Sequence, residues 1–258
     1  EATPPRLSDL PPTDLIVCDS YRLSPADYLA LHGQAKLLAA LDDTAERSLP
    51  VDVVINHNLY APHLDYGRVS EGKKILGPDY ALINERVVAA ARQHATQTPD
   101  NAIAVSFGGT DDGTMAASVV HELLLRTDAR IDLIIAASRT PSPALRGLPS
   151  RAVVHHGPDV PGLLARARVY LGAAGMMSFE AFAIGLHLVV VPIADNQRPG
   201  AEALVAYGHD VVDVVDPARL AEITAQRLRQ PPPIKPAPID GKGPERLATA
   251  LLKELAAR

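Results

Sequence analysis

One cysteine, Cys18, stands among the 258 residues. That excludes an internal disulfide framework and a cysteine-based zinc site. Tryptophan is absent and aromatic residues are 4% of the chain, so stacking on bases or sugars is not its main device. No charge of one sign dominates: 25 Lys and Arg against 30 Asp and Glu give a net charge of −5. This balance carries no electrostatic footprint for nucleic acid or an anionic membrane. No apolar run reaches the ~18 residues of a membrane-spanning helix, and no basic segment followed by an apolar one opens the chain as a signal peptide would. These absences lead to the expectation of a soluble, cytoplasmic protein in a reducing compartment. What is present is apolar bulk: 47% hydrophobic against 21% charged residues supply a sizeable core and exclude intrinsic disorder.

The apolar residues come in short runs, each followed by a turn and a helical pattern. Strands are expected at 14–18, 36–41 (KLLAAL, whose composition also suits a helix), 51–58, 102–109, 131–138, 152–157, 168–175, 187–193 and 210–215. Helices are expected at 24–32, where Ser24-Pro25 supplies an N-cap and a first-turn proline, and at 112–127, with Met115, Val119, Leu123 and Leu124 on one face. Further helices fall at 161–167, 177–185 (closed by Gly185), 199–208, 217–230 and 243–258, the last reached through a Pro-rich extended segment at 231–240. Strands alternating with helices predict parallel, doubly wound α/β sheets. The polar stretch 94–101 marks the boundary between two domains. About six βα units follow it and only about three strands precede it, which predicts an N-terminal domain lacking its first βα units.

In open α/β sheets ligands lie at the carboxyl ends of the strands, and three strand ends are not generic. Ser106-Phe107-Gly108-Gly109-Thr110-Asp111 offers paired glycines and a hydroxyl to an anion, or else is a tight turn with Thr110 or Asp111 as a helix cap. Gly172-Ala-Ala-Gly175-Met176-Met177-Ser178-Phe-Glu180 runs from a strand through small residues into a helix whose first N–H groups suit a diphosphate. There Glu180 accepts from ribose hydroxyls, or is a first-turn acid favoured by the helix dipole. Met176 and Met177 are ligand contacts or core filler, the latter for at least one of them. Ala194-Asp195-Asn196-Gln197 directs polar side chains into the crevice or caps the next helix.

The nine histidines form no metal set. His155 and His156 are neighbours on a strand and face opposite ways, while His57 and His63 lack helical spacing. Neither a G-x-S-x-G elbow nor a G-x-x-x-x-G-K-[ST] loop occurs.

Taken in order, DLIVCDSYRL (14–23), LDDTAERSLPVDVVINHNL (41–59), ILGPDYALI (75–83), VSFGGTD (105–111), GAAGMMSFEAFAIGL (172–186), IADNQ (193–197) and IDGKGPERLATALL (239–252) resemble the PseG-type UDP-sugar hydrolases. These are relatives of the MurG-like GT-B glycosyltransferases, and the resemblance covers almost the whole chain. It implies an α/β GT-B-like architecture of two Rossmann-like domains. Residues 1–96 would form the sugar-side domain, 97–242 the nucleotide-binding domain, and 243–258 a helix crossing back to the first. It further implies release of UDP from a UDP-diacetamido-trideoxy-hexose by water attack at the anomeric carbon with inversion, in pseudaminic acid biosynthesis. By position in the motifs, Gly109, Thr110, Gly175, Met176, Met177, Ser178 and Glu180 bind the nucleotide. Asn196 and Tyr21 serve catalysis or sugar orientation, and Asp195 and Gln197 the substrate. The resemblance implies neither metal nor cofactor; the expected partner is the UDP-sugar, with no nucleic acid or membrane insertion, and the chain is expected as a monomer or weak homo-oligomer.

Two departures matter. The family's G-x-G-H-x-x-R motif, whose histidine handles the attacking water, is not in these residues; the sequence opens where the family's third strand begins. In GAAGMMSFE, Ala174 and Met176 replace a glycine and a hydroxyl donor. The alternatives are a GT-B glycosyltransferase using a UDP-sugar donor, or a non-catalytic nucleotide-sugar-binding homologue.

Overall fold

The computed structural model describes residues 11–231 and 234–258. Pro232 and Pro233, within the expected extended segment, lie outside the described residues. The chain divides into two compact units, one running through Leu82 and resuming at Ile239–Arg258, the other Ile83–Pro238.

Unit 1 carries the parallel strands β1 (Thr13–Asp19), β2 (Ala35–Leu41), β3 (Val53–Asn56) and β4 (Lys73–Leu76), in spatial order β1-β2-β3-β4. β2 is the segment whose composition also suited a helix. Its alternation decides the matter: Leu38 and Ala40 join Cys18, Tyr28, Leu31 and Val54 in one cluster, while Leu37 and Ala39 join Val53, Ile55 and Ile75 in another. A strand buried on both faces has no polar side to spare. Helix α1 (Pro25–His32) starts as the sequence predicts: Ser24 Oγ accepts from the Asp27 N–H at 3.3 Å, and Asp27 accepts from the Ser24 N–H at 2.8 Å.

Unit 2 carries β5 (Ala102–Ser106), β6 (Arg130–Ile135), β7 (Ala152–His156), β8 (Val169–Ala173), β9 (His187–Val191) and β10 (Asp210–Val211), all parallel, in the order β10-β9-β8-β5-β6-β7. Every residue of β5, β8 and β9 is buried. Helices α3 (Thr114–Arg126) and α7 (Pro217–Arg229) share one cluster with the strands, through Val119, Leu123, Leu220 and Ile223 against Val105, Leu171 and Val189. Helices α2 (Glu85–Thr96), α4 (Val160–Arg166) and α5 (Met176–Ile184) pack against one another, α4 also meeting β5 and α5 meeting β8 and β9. Helix α6 (Arg198–Val205) leads into β10. Gly185, at φ +102°, ends α5 in the left-handed conformation that the sequence assigned to it.

Several elements differ from the sequence expectations. β4 and α2 fall in stretches to which the sequence assigned no element. The compact units divide at Leu82/Ile83, so α2 falls with unit 2 and the polar stretch at 94 is partly its last turn, where His94 Nδ1 lies 2.9 Å from the Ala165 carbonyl. The chain returns to unit 1 at Ile239, and α8 (Gly243–Ala256) packs there through Leu247 and Leu251. On α3 the buried stripe is Ala116, Val119, Val120 and Leu123, with Met115 exposed. β10 has two residues where six were expected.

At the start of β9 and β10 lies a buried polar knot. Arg227 donates to both Asp210 carboxylate oxygens at 2.7 Å, and His187 Nε2 lies 2.7 Å from the same carboxylate. His209 accepts from the Leu188 N–H through Nδ1 at 3.2 Å and meets Phe182 edge-on. Burial, and then the neighbouring His187, hold His209 down at about 4. Burial pushes the Asp210 carboxyl up, but hydrogen bonds from Arg227 and His187 prevail and hold it well below the carboxylate range. Between the unfolded value near 6.5 and about 4 the unfolded chain binds a proton at His209 that the native chain refuses. Stability present at neutral pH is therefore lost as pH falls through that window, by on the order of 2–3 kcal/mol from this group. Urea unfolding at stepped pH should show the loss, and His209→Gln should flatten it; an unchanged slope in the variant would assign the acid sensitivity elsewhere.

Candidate functional site

The three strand ends that the sequence distinguishes belong to three adjacent strands, β5, β8 and β9. Ser106 is in register with Gly172, and Ala173 with Val191. The loops that follow therefore open side by side at one end of the unit 2 sheet.

The closest approach lies at Gly172. A Cβ there would stand 1.7 Å from the Ser106 carbonyl oxygen. Tyr170, buried, shares its O–H between the carbonyls of Ser106 at 3.1 Å and Ala173 at 3.2 Å, tying the two strand ends together.

In the loop after β5, Gly108 takes φ +88°, a left-handed conformation that glycine adopts without strain. The Ser106 hydroxyl accepts from the Gly108 N–H at 3.3 Å, and the Asp111 N–H reaches the Gly108 carbonyl at 3.3 Å. The N–H groups of Gly109 and Thr110 meet no acceptor among the described residues, and both residues are exposed. Thr110 is not the helix cap: the N-cap of α3 is Gly113, and it is Asp111 and Asp112 whose carboxylates accept from Met115 and Thr114. A Cβ on Gly109 would meet nothing within 4 Å, and its φ is not left-handed. Protein packing does not ask for glycine there.

In the loop after β8, Gly175 is the N-cap of α5 and offers no side chain. The N–H groups of Met176, Met177 and Ser178 meet no acceptor among the described residues, as the first turn of a helix leaves them. The Ser178 hydroxyl is buried and donates to the Gly175 carbonyl at 2.7 Å, so this residue presents its backbone, not its side chain. Met176 is 60% exposed and so is not core filler, while Met177 is half-buried. Glu180, one turn on, is half-buried, and burial raises its carboxyl above the ordinary value. No donor reaches this carboxylate among the described residues.

In the loop after β9, Gln197 Oε1 accepts from the Ile193 N–H at 3.0 Å, and its Nε2 stands 3.5 Å from where a Gly175 Cβ would be. Gln197 thus bridges the β9 loop towards the β8 loop. Asp195 is fully exposed and pairs with Arg198 at 3.5 Å. Asn196 is exposed, and its amide makes no hydrogen bond among the described residues.

Tyr21 belongs to unit 1. It is 64% exposed, donates to Asp43 Oδ2 at 2.6 Å, and has the Arg47 guanidinium 5.8 Å above its ring. Its neighbours come from the ends of β2 and β3. Asp42, buried, accepts from the N–H groups of Thr44 and Ala45, and from the Tyr66 hydroxyl, which in turn accepts from Asn56 Nδ2. Burial lowers the basicity of His57 beside them. Sequence reasoning singled out Tyr21 and passed over this network, because its members lie far apart in the chain. Among the described residues no three His, Cys, Asp or Glu side chains stand close enough to hold a metal ion, and no helix is long and apolar enough to cross a membrane.

No protein-family model matches the sequence, and no curated protein does either. Solved structures do. The chain is 15% identical to Arabidopsis thaliana UGT89C1 complexed with UDP, at a TM-score of 0.59, covering 96% of this chain and 74% of that one. With a putative UDP-N-acetylglucosamine 2-epimerase from Listeria monocytogenes it shares 13% identity at a TM-score of 0.60, covering 96% and 76%. With the glycotransferase of kitacinnamycin it shares 19% at 0.56, covering 95% and 72%. The likeness is one of fold, and the fold is GT-B: two α/β units with Rossmann-like parallel sheets.

The two glycines separate packing from function. Gly172→Ala should destabilise the protein by about 3 kcal/mol or more, because the neighbouring backbone cannot yield. Gly109→Ala should change stability by less than about 0.5 kcal/mol. Urea denaturation of both variants checks this, and a large loss in Gly109→Ala would mean the loop needs its glycine for folding.

Proposed function

We propose that unit 2 binds a nucleoside diphosphate sugar and that the protein hydrolyses it, in the manner of the PseG-type UDP-sugar hydrolases that its sequence resembles. The observation that carries this reading is the placement of two sets of unpaired N–H groups, at Gly109–Thr110 and at Met176–Ser178, in the loops after adjacent strands. Backbone amides without acceptors suit phosphate oxygens, and the α5 macrodipole adds partial positive charge at the second set. The half-buried Glu180 carboxylate, without a donor, suits ribose hydroxyls, whose hydrogen bonds would offset its desolvation.

On this reading a water oxygen bonds to the anomeric carbon as the carbon–oxygen bond to the β-phosphate breaks. UDP leaves with the bridging oxygen, and the proton shed by water passes to solvent or a base. The amide of Asn196 orients the sugar, and the role of Tyr21, whose hydroxyl Asp43 holds within unit 1, follows from the resemblance alone. Asp195 and Gln197 border the sugar, Gln197 chiefly by shaping the loop. Place in nonulosonic acid biosynthesis, with a UDP-diacetamido-trideoxy-hexose as substrate, follows from the resemblance alone. Transfer of the sugar to an acceptor is the second reading, since structures of similar fold include glycosyltransferases. Product analysis separates them: free reducing sugar and UDP without any acceptor support hydrolysis, and acceptor-dependent UDP release supports transfer.

Calorimetry with UDP tests the site itself. Glu180→Ala should weaken UDP binding by about 1–3 kcal/mol, and much less for the 2′,3′-dideoxy analogue. Equal losses for both ligands would remove Glu180 from the ribose. Asn196→Ala should lower turnover more than UDP affinity; equal losses would contradict its sugar-side role.

A further inference from the structure

Many arginines of unit 2 are already engaged within the protein. Arg227 forks onto Asp210, and Arg130 onto Asp132 at 3.0 and 2.8 Å. Arg151 donates to the carbonyls of Leu124 and Thr127 at 2.6 and 2.7 Å, and Arg198 pairs with Asp195.

Arg139 differs. It follows β6, the strand beside β5, in a turn closed by its own N–H on the Ala136 carbonyl at 3.0 Å. Its Nε donates to the carbonyl of Gly109 at 2.9 Å, in the loop whose N–H groups lack acceptors. Its Nη1 and Nη2 make no hydrogen bond, and it has no ion pair within 4 Å, among the described residues. Asp112 is near enough to feel its charge, but that carboxyl is held low chiefly by the Thr114 hydroxyl and N–H.

A guanidinium anchored through Nε keeps its two-nitrogen edge free, and that edge matches a pair of phosphate oxygens. The candidate phosphate loops supply only backbone dipoles, which leaves most of a diphosphate's charge uncompensated. Anchoring on Gly109 also reduces the rotamer freedom that an exposed arginine would lose on binding.

We propose that Arg139 is a diphosphate-binding residue, its Nη edge on phosphate oxygens while Nε stays on the Gly109 carbonyl. This rests on the reading of unit 2 as a nucleoside diphosphate site, and it adds a full positive charge from β6, a strand to which neither the sequence motifs nor the resemblance assigned a role. The residue then discriminates by phosphate and not by base or sugar.

The test compares UDP and uridine on the full chain, by calorimetry for UDP and ligand-observed NMR for uridine, with wild type, Arg139→Met and Arg139→Lys. Arg139→Met keeps the apolar stem and should weaken UDP about 10–100-fold while leaving uridine within about twofold. Its UDP affinity should also depend less steeply on salt, and Arg139→Lys should recover part of the loss. Unchanged UDP affinity in Arg139→Met overturns the assignment and leaves the site standing. Equal losses for UDP and uridine also overturn it, because they would show Arg139 only shaping the loop. Wild-type protein that binds neither ligand overturns the nucleotide reading itself, and this assignment with it.

Discussion

Where β8 passes β5, the main chain of Gly172 lies so close to the Ser106 carbonyl that no side chain fits between them. This contact fixes the height at which the two strands end. The Tyr170 hydroxyl clasps the same two ends, so the loops that follow emerge from a rigid rim. Everything read as a binding site in unit 2 depends on it. The amides of Gly109 and Thr110 and those of Met176 to Ser178 serve one ligand only if their strands stop together.

The rim also explains a division among the glycines. Gly172 is demanded by backbone proximity, and Gly113 by left-handed φ and the Leu145 side chain. Gly109 and Gly175 answer to neither requirement. Their missing side chains leave backbone donors open, which is a property useful to an incoming anion and indifferent to folding. The polar atoms around them follow the same economy. Ser178 commits its hydroxyl to the Gly175 carbonyl and leaves its N–H without an acceptor among the described residues; Gln197 holds the β9 loop in place; and Glu180 remains half-buried without a donor. A buried or half-buried polar group without a partner is costly to the free protein, and a ligand that supplies the missing partner recovers that cost as affinity.

Most strands were legible in the sequence because a buried parallel strand is a short apolar run bounded by turns, and these runs are plain at 102–106, 131–135, 169–173 and 187–191. Helix α1 was legible from Ser24, Pro25 and Asp27, because a capping box is a local device. β4 was not, since KKIL carries one buried residue in four; α2 was passed over although Asn84 caps it through the Val87 N–H and Val87 and Ala90 mark its buried side. Met115 shares the stripe of Val119 and Leu123, but it stands in the first turn of α3, where the sheet does not cover it. Arg139 gave no signal at all: an arginine in a Ser-Arg-Thr-Pro turn is an ordinary surface residue until β6 is known to lie beside β5.

The sequence by itself determined most of the segments that become strands, which loops are small and polar, and which residue types stand at each strand end, because hydrophobic period and turn chemistry are local. Only the tertiary structure decided that β5, β8 and β9 are neighbours, that α2 belongs with unit 2, and that Arg139 meets Gly109. Strand order is set by crossover connections and by how the helices cover each face. Those choices pair residues tens of positions apart and leave no mark in the spacing of any one segment.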